Sequence, residues 1–120
     1  MANFQQAKLE GTNLQGADII EANFEGANLQ LANLQGTELY EAELQMAKLQ
    51  GADLERAHIK RANLKQANLQ GANLKGTHHL TIDQISKLKT LYDTKLDEEL
   101  LIPLKEKYPA LFKESDSDNQ

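Results

Sequence analysis

Three histidines, His58, His78 and His79, have the widest chemical reach in this chain. His58 and His78 stand twenty residues apart, and Glu38 precedes His58 by the same interval. Two imidazoles beside a carboxylate can hold a metal ion, but a structural or catalytic site needs a third and fourth ligand. No such ligands are evident, so these side chains read as surface polar residues and no metal is expected. Ser86, Ser115 and Ser117 stand in no nucleophile motif. Carboxylates are plentiful, but no cleft is indicated that would raise a pKa for acid–base work. There is no glycine-rich phosphate loop, and no cysteine for a thiolate site or a disulfide framework. The expectation is a protein that is not an enzyme, with no catalytic residues, no cofactor and no small-molecule substrate.

The elements that must carry these side chains follow a five-residue rule. Phe4, Leu9, Leu14, Ile19, Phe24, Leu29, Leu34, Leu39, Leu44, Leu49, Leu54, Ile59, Leu64, Leu69 and Leu74 are all large and apolar. Ala or Thr stands two residues before each, from Ala2 and Ala7 through Thr12 and Thr37 to Ala72. In a strand, residues five apart point to opposite faces. In an α-helix they lie roughly 140° apart and would scatter around the cylinder. The period produces one buried side only if the chain turns a corner every five residues, always toward the same axis. Exceptional residues recur at twenty: Phe4 and Phe24, Ile20 and Tyr40, Glu21 and Glu41. That interval hints at four sides per coil. The seven glycines all end a five-residue unit, where they ease a corner.

The unit reads A-[N/D]-L-x-x, as in Ala27-Asn28-Leu29-Gln30-Leu31 and Ala52-Asp53-Leu54-Glu55-Arg56. It resembles the pentapeptide-repeat family over about two thirds of the chain. The resemblance implies an all-β repeat solenoid: a right-handed quadrilateral β-helix of about four coils, four pentapeptides each. It also implies that the fifteen apolar residues form ladders filling a narrow core, with a short C-terminal α-helical cap. Proteins of this kind mostly lack a known activity. The expected function is therefore a structural or protein-interaction module. The alternative is an acidic DNA mimic, since some members bind DNA gyrase or topoisomerase in place of duplex DNA. Asn at the place before the central residue is expected to bond along the stack and to corner backbone rather than to a ligand.

After Thr77 the rule stops, and His79 stands where a central Leu is due. Thr81-Ile82-Asp83-Gln84 reads as a capping box that opens a helix over 82–92. A second helical stretch begins near Leu96 or Asp97 and uses Leu100, Leu101 and Leu104, with Pro103 ending or kinking it. The expected organisation is a repeat β-helix over 1–79, a helical cap over 80–112 and a disordered tail over 113–120.

Charge is unevenly placed. Residues 1–55 hold nine acidic and two basic side chains, a net −7. Residues 56–79 hold five basic and no acidic ones, and 80–120 carry a net −3. Five cations without interleaved aromatics argue against nucleic acid as the partner. No run of eighteen apolar residues crosses a membrane. The repeat begins at once, which predicts no leader, a cytoplasmic chain and an uncovered first coil able to self-associate. One outer face breaks the polar rule: Ile20 and Tyr40, flanked by Glu21, Glu41, Lys60 and Arg61, form the candidate partner face for another protein.

Overall fold

A computed structural model describes residues 2–114 of the chain. Within them the backbone turns every five residues and returns over itself every twenty. Parallel pairings run from Asn3–Asn23 to His58–His78, each joining residues twenty apart. Four five-residue units therefore complete one coil, and the chain is a repeat solenoid. Principal extents of 36 × 34 × 19 Å make it squat rather than a slender rod. At about 4.8 Å per coil, four coils stack no higher than a coil is wide.

We name the sides by their central residues: side A holds Phe4, Phe24, Leu44 and Leu64; side B holds Leu9, Leu29, Leu49 and Leu69. Side C holds Leu14, Leu34, Leu54 and Leu74, and side D holds Ile19, Leu39 and Ile59. Three backbone bonds per unit tie each coil to the next. On side B, the Leu49 N–H donates to Asn68 O at 2.8 Å, the Gly51 N–H donates to Gln70 O at 2.9 Å, and the Asn68 N–H donates back to Ala47 O at 3.0 Å. The same set recurs on every side below the upper edge, so the narrow core is held by backbone as much as by apolar contact.

Each corner is built the same way. The side chain before the central residue accepts a bond from the N–H two places on, as Asn33 Oδ1 does from Gln35 at 3.1 Å and Asp53 Oδ1 from Glu55 at 3.0 Å. The expected Asn bonds thus go to corner backbone, a local Asx turn. The unit's last residue then takes a positive φ at every corner from Gln6 to Gly76. Glycine occupies seven of these corners, but Glu21, Leu31, Glu41, Met46, Arg56 and Arg61 adopt it too. A non-glycine residue there costs roughly 1–2 kcal/mol, which the stack above and below must offset.

The central residues from Ile19 to Leu74 are buried, and the Ala column lies beside them. Phe4, Leu9 and Leu14 depart from the expected core: they are only half-buried, because no coil covers them from below among the described residues. Phe4 still stacks on Phe24, with ring centroids 4.9 Å apart.

The largest departure lies after Thr77. His79 is exposed at φ 64, and the chain slips by one so that Leu80 takes the inward place. The expected capping box forms, with Gln84 N donating to Thr81 Oγ1 at 3.2 Å and Thr81 N to Gln84 Oε1 at 2.9 Å. The helix it opens, α1, covers only Ile82–Ser86, not 82–92. The coil then resumes. Thr90 pairs with Asn68 and Lys95 with Asn73, now twenty-two residues apart. Thr90 Oγ1 accepts from Tyr92 N at 3.0 Å, as Asn does lower down, and Asp93 takes the corner at φ 62. Leu91 and Leu96 continue sides B and C and are buried. The physical reason is the ladder itself: Gly71 N and Leu74 N need acceptors above them, and Tyr92 O and Lys95 O supply them at 2.9 and 2.8 Å.

A second helix, α2, spans Glu98–Lys107 and runs through Pro103. Leu104 is buried, while Leu100, Leu101, Tyr108, Leu111 and Phe112 pack against the core more loosely. A 3₁₀ turn, Pro109–Phe112, follows, and Leu111 O accepts from Leu91 N at 2.7 Å. Residues 115–120, most of the expected tail, lie outside the described residues, as do Ser115 and Ser117.

Candidate interaction face

Side D brings the sequence-predicted residues together. The twenty-residue return places Asp18, Glu38, His58 and His78 in one outward column. The repeat puts Ile20, Tyr40 and Lys60 in a parallel column two residues on, and Glu21, Glu41 and Arg61 at the corner beside it. Ile20 is 40% exposed, and Tyr40 above it is half-buried. Arg61 reaches down to Glu41 at 3.6 Å, and His58 Nε2 lies 3.9 Å from Glu38 Oε1. These pairs are partly exposed and add little to stability. Their effect is positional: the side runs from carboxylates in the two lower coils to cations and imidazoles above.

The imidazoles of His58 and His78 stack, with centroids 4.3 Å apart and planes 13° from parallel. Among the described residues no group of three His, Asp or Glu side chains converges on a point. Away from this side, the Glu114 carboxylate, 3.4 Å from the Tyr92 hydroxyl, raises that phenol's pKa. No helix among the described residues is long and apolar enough to cross a membrane.

Within the five-residue units, two other outward apolar side chains stand apart from side D. Leu31 is 67% exposed at the corner between sides B and C, directly beneath Gly51 of the next coil, and Met46 is 55% exposed between sides A and B. What sequence reasoning missed is how the upper edge is closed. Gln84 Nε2 donates to Ile59 O at 2.8 Å and to Ala62 O at 3.0 Å, replacing a backbone donor that α1 has taken away. Asp97 Oδ2 likewise accepts from Gly76 N at 3.0 Å. Side chains that stand in for backbone leave no periodic trace.

Comparison with known proteins bears on this architecture. A family model described as pentapeptide repeats matches residues 2–36 and 37–76. A pentapeptide repeat protein from the Arabidopsis thaliana thylakoid lumen superimposes with a TM-score of 0.57 at 28% identity, over 88% of this chain and 75% of that one. A pentapeptide repeat protein from Nostoc PCC 7120 is 36% identical over 79% of this chain and 84% of its own, with a TM-score of 0.36. QnrB1, a plasmid-mediated fluoroquinolone resistance protein, is 16% identical over 87% of this chain and 64% of its own, with a TM-score of 0.40. That likeness is too slight in sequence and in shape to carry a role across. No curated protein sequence matches the chain.

Proposed function

The chain belongs to the pentapeptide-repeat family, and from that membership we propose that it is a non-enzymatic protein-interaction module docking through side D. The observation that carries this reading is the column Ile20–Tyr40, apolar and outward, with charged side chains on both flanks. Elsewhere the flat sides present mainly Asn, Gln and charged residues. An apolar strip with a charged rim suits a protein surface, the strip supplying contact area and the rim supplying register.

The supporting architecture is taken to be a right-handed quadrilateral β-helix, with 80–112 covering its upper end. The burial of Leu80, Ile85, Leu88, Leu91, Leu96 and Leu104 in one cluster with the coil core supports that covering role. The DNA-mimic reading has less behind it. The acidic surface is interrupted by residues 56–79, which hold five basic and no acidic side chains, and side D turns cationic at Lys60 and Arg61. A supercoiling assay with purified gyrase tests it directly. The cytoplasmic placement expected from the sequence stays a proposal beside a relative from the thylakoid lumen.

The experiment for side D is affinity capture from the native host, repeated with Ile20→Ser and Tyr40→Ser together. The expected result is loss of a partner held by the unaltered chain, with the fold intact because both side chains point outward. Equal recovery by both chains removes side D from the proposal. Self-association would use the lower edge instead, where Phe4, Leu9 and Leu14 are half-exposed. Sedimentation of the same double variant separates the two contacts, since it leaves that edge untouched.

A further inference from the structure

Where α1 leaves the stack, the upper edge of side A is left open. In the coils below, the central residue of this side donates upward: Phe4 N to Asn23 O, Phe24 N to Glu43 O and Leu44 N to Asn63 O, at 2.6 to 2.8 Å. Leu64 N is next in the series and finds no acceptor among the described residues. The stretch that would have supplied an acceptor is wound into α1, where Asp83 O accepts from Ser86 Oγ at 2.9 Å and Ile85 O from Leu88 N at 3.1 Å. Arg61 N is in the same position, since its counterparts Glu21 N and Glu41 N donate to Tyr40 O and Lys60 O. The gap is bounded on one side by Gln84, anchored on Ala62 O. On the other it is bounded by Lys87, whose carbonyl accepts from Gln66 N at 2.8 Å.

The resulting pocket measures about 370 Å³ and is lined by Arg61, Leu64, Lys65, Asp83, Gln84 and Lys87 among others. The backbone carbonyls at its floor are already engaged: Ala62 O by Gln84, Asn63 O by Leu44 N, Leu64 O by Ala67 N and Lys65 O by Met46 N. Three cations and two unpaired N–H groups border it, against the one carboxylate of Asp83. Lys and Arg donate only. Lys87 lies 3.3 Å from Asp83, and Arg61 lies 3.6 Å from Glu41. Exposed pairs of that kind are weak, so both cations can turn to a stronger anion at little cost.

We propose that this window binds a phosphoryl group, as free phosphate or as a phosphomonoester, with Leu64 N–H and Arg61 N–H on the oxygens and Lys65 and Lys87 around them. A site with donors and little acceptor capacity selects a ligand that only accepts. The excess of two positive charges matches a dianion better than a single carboxylate, and charge-assisted bonds to phosphate are the strong ones. Backbone N–H groups at such a concavity add partial positive charge that cannot be titrated away.

The test is amide NMR of the whole chain, titrated with sodium phosphate and, separately, with phosphoserine, against sodium chloride at matched ionic strength. The expected result is a saturating shift of the Leu64 and Arg61 amides that chloride does not produce. Phosphoserine acting alongside phosphate assigns the window to phosphomonoesters, and phosphate acting alone assigns it to the free ion. Lys65→Gln with Lys87→Gln, both at exposed positions, should weaken binding about tenfold, and Asp83→Asn should tighten it. A Leu64 amide that moves no further with phosphate than with chloride, or moves equally in the double variant, overturns the proposal.

Discussion

Leu49→Ala is expected to lower the free energy of unfolding by about 2–5 kcal/mol, whereas Leu9→Ala on the same side should cost about 1 kcal/mol. Leu49 is fully buried, with Leu29 below and Leu69 above, both equally enclosed. The stack cannot collapse into the space left behind. Leu49 N is fixed to Asn68 O, and Lys48 N to Ala27 O at 2.9 Å, so the coils above and below hold their spacing. The cavity therefore persists and adds to the lost transfer energy. Leu9 sits in the lowest coil, where its side chain is half-exposed before any substitution. Urea unfolding followed by circular dichroism gives both midpoints. Equal losses for the two variants would mean that burial does not rise from the first coil to the third, against the ladder described here.

The five-residue rule was legible because one backbone repeat fixes both which residues point inward and where the chain bends. Every central residue from Phe24 to Leu74 is buried as that rule demands. The return at twenty was legible from exceptions alone, Ile20 with Tyr40 and His58 with His78, since only residues sharing a column can compensate one another. The corners were half legible. Glycine marks seven of them, but Leu31, Met46 and Arg56 hold the same positive φ, imposed by bonds to neighbouring coils rather than by their own preference. The resumed coil was missed for a physical reason. Ile85, Leu88 and Leu91 recur at three residues, a helical spacing, and that pattern hides a repeat shifted by two. In Lys89-Thr90-Leu91-Tyr92-Asp93-Thr94-Lys95-Leu96 the signal is still present: Leu91 and Leu96 stand five apart, with Thr94 two before Leu96. Thr90 does the turn work of Asn. The phosphoryl window could not be read at all, because it depends on a backbone donor that loses its partner where α1 begins.

Leu91→Asp is expected to abolish the cooperative fold, while Ile102→Asp leaves stability within about 0.5 kcal/mol. Leu91 is fully buried above Leu69, and its N–H and that of its neighbour Thr94 are both engaged, with Leu111 O and Leu91 O. A carboxylate there has no cation beside it in the core cluster, and burying an unpaired charge costs several kcal/mol. A domain of this size holds only about 5–15 kcal/mol in total. The loss would also spread downward, because in a solenoid each coil is stabilised chiefly by its neighbours. Ile102 is 58% exposed on α2 and touches that ladder at no backbone bond, so it reports the cost of a new charge on the surface. Hydrogen exchange at low denaturant distinguishes two ways in which Leu91 can matter. If residues 89–96 are a true continuation of the coil, the Gly71 and Leu74 amides, bonded to Tyr92 O and Lys95 O, lose protection in step with Leu49. If the segment only lies across the end as a loose cover, those two amides exchange early while Leu49 stays protected, and the stack survives the substitution. The bonded pairing of Lys95 with Asn73 favours the first outcome.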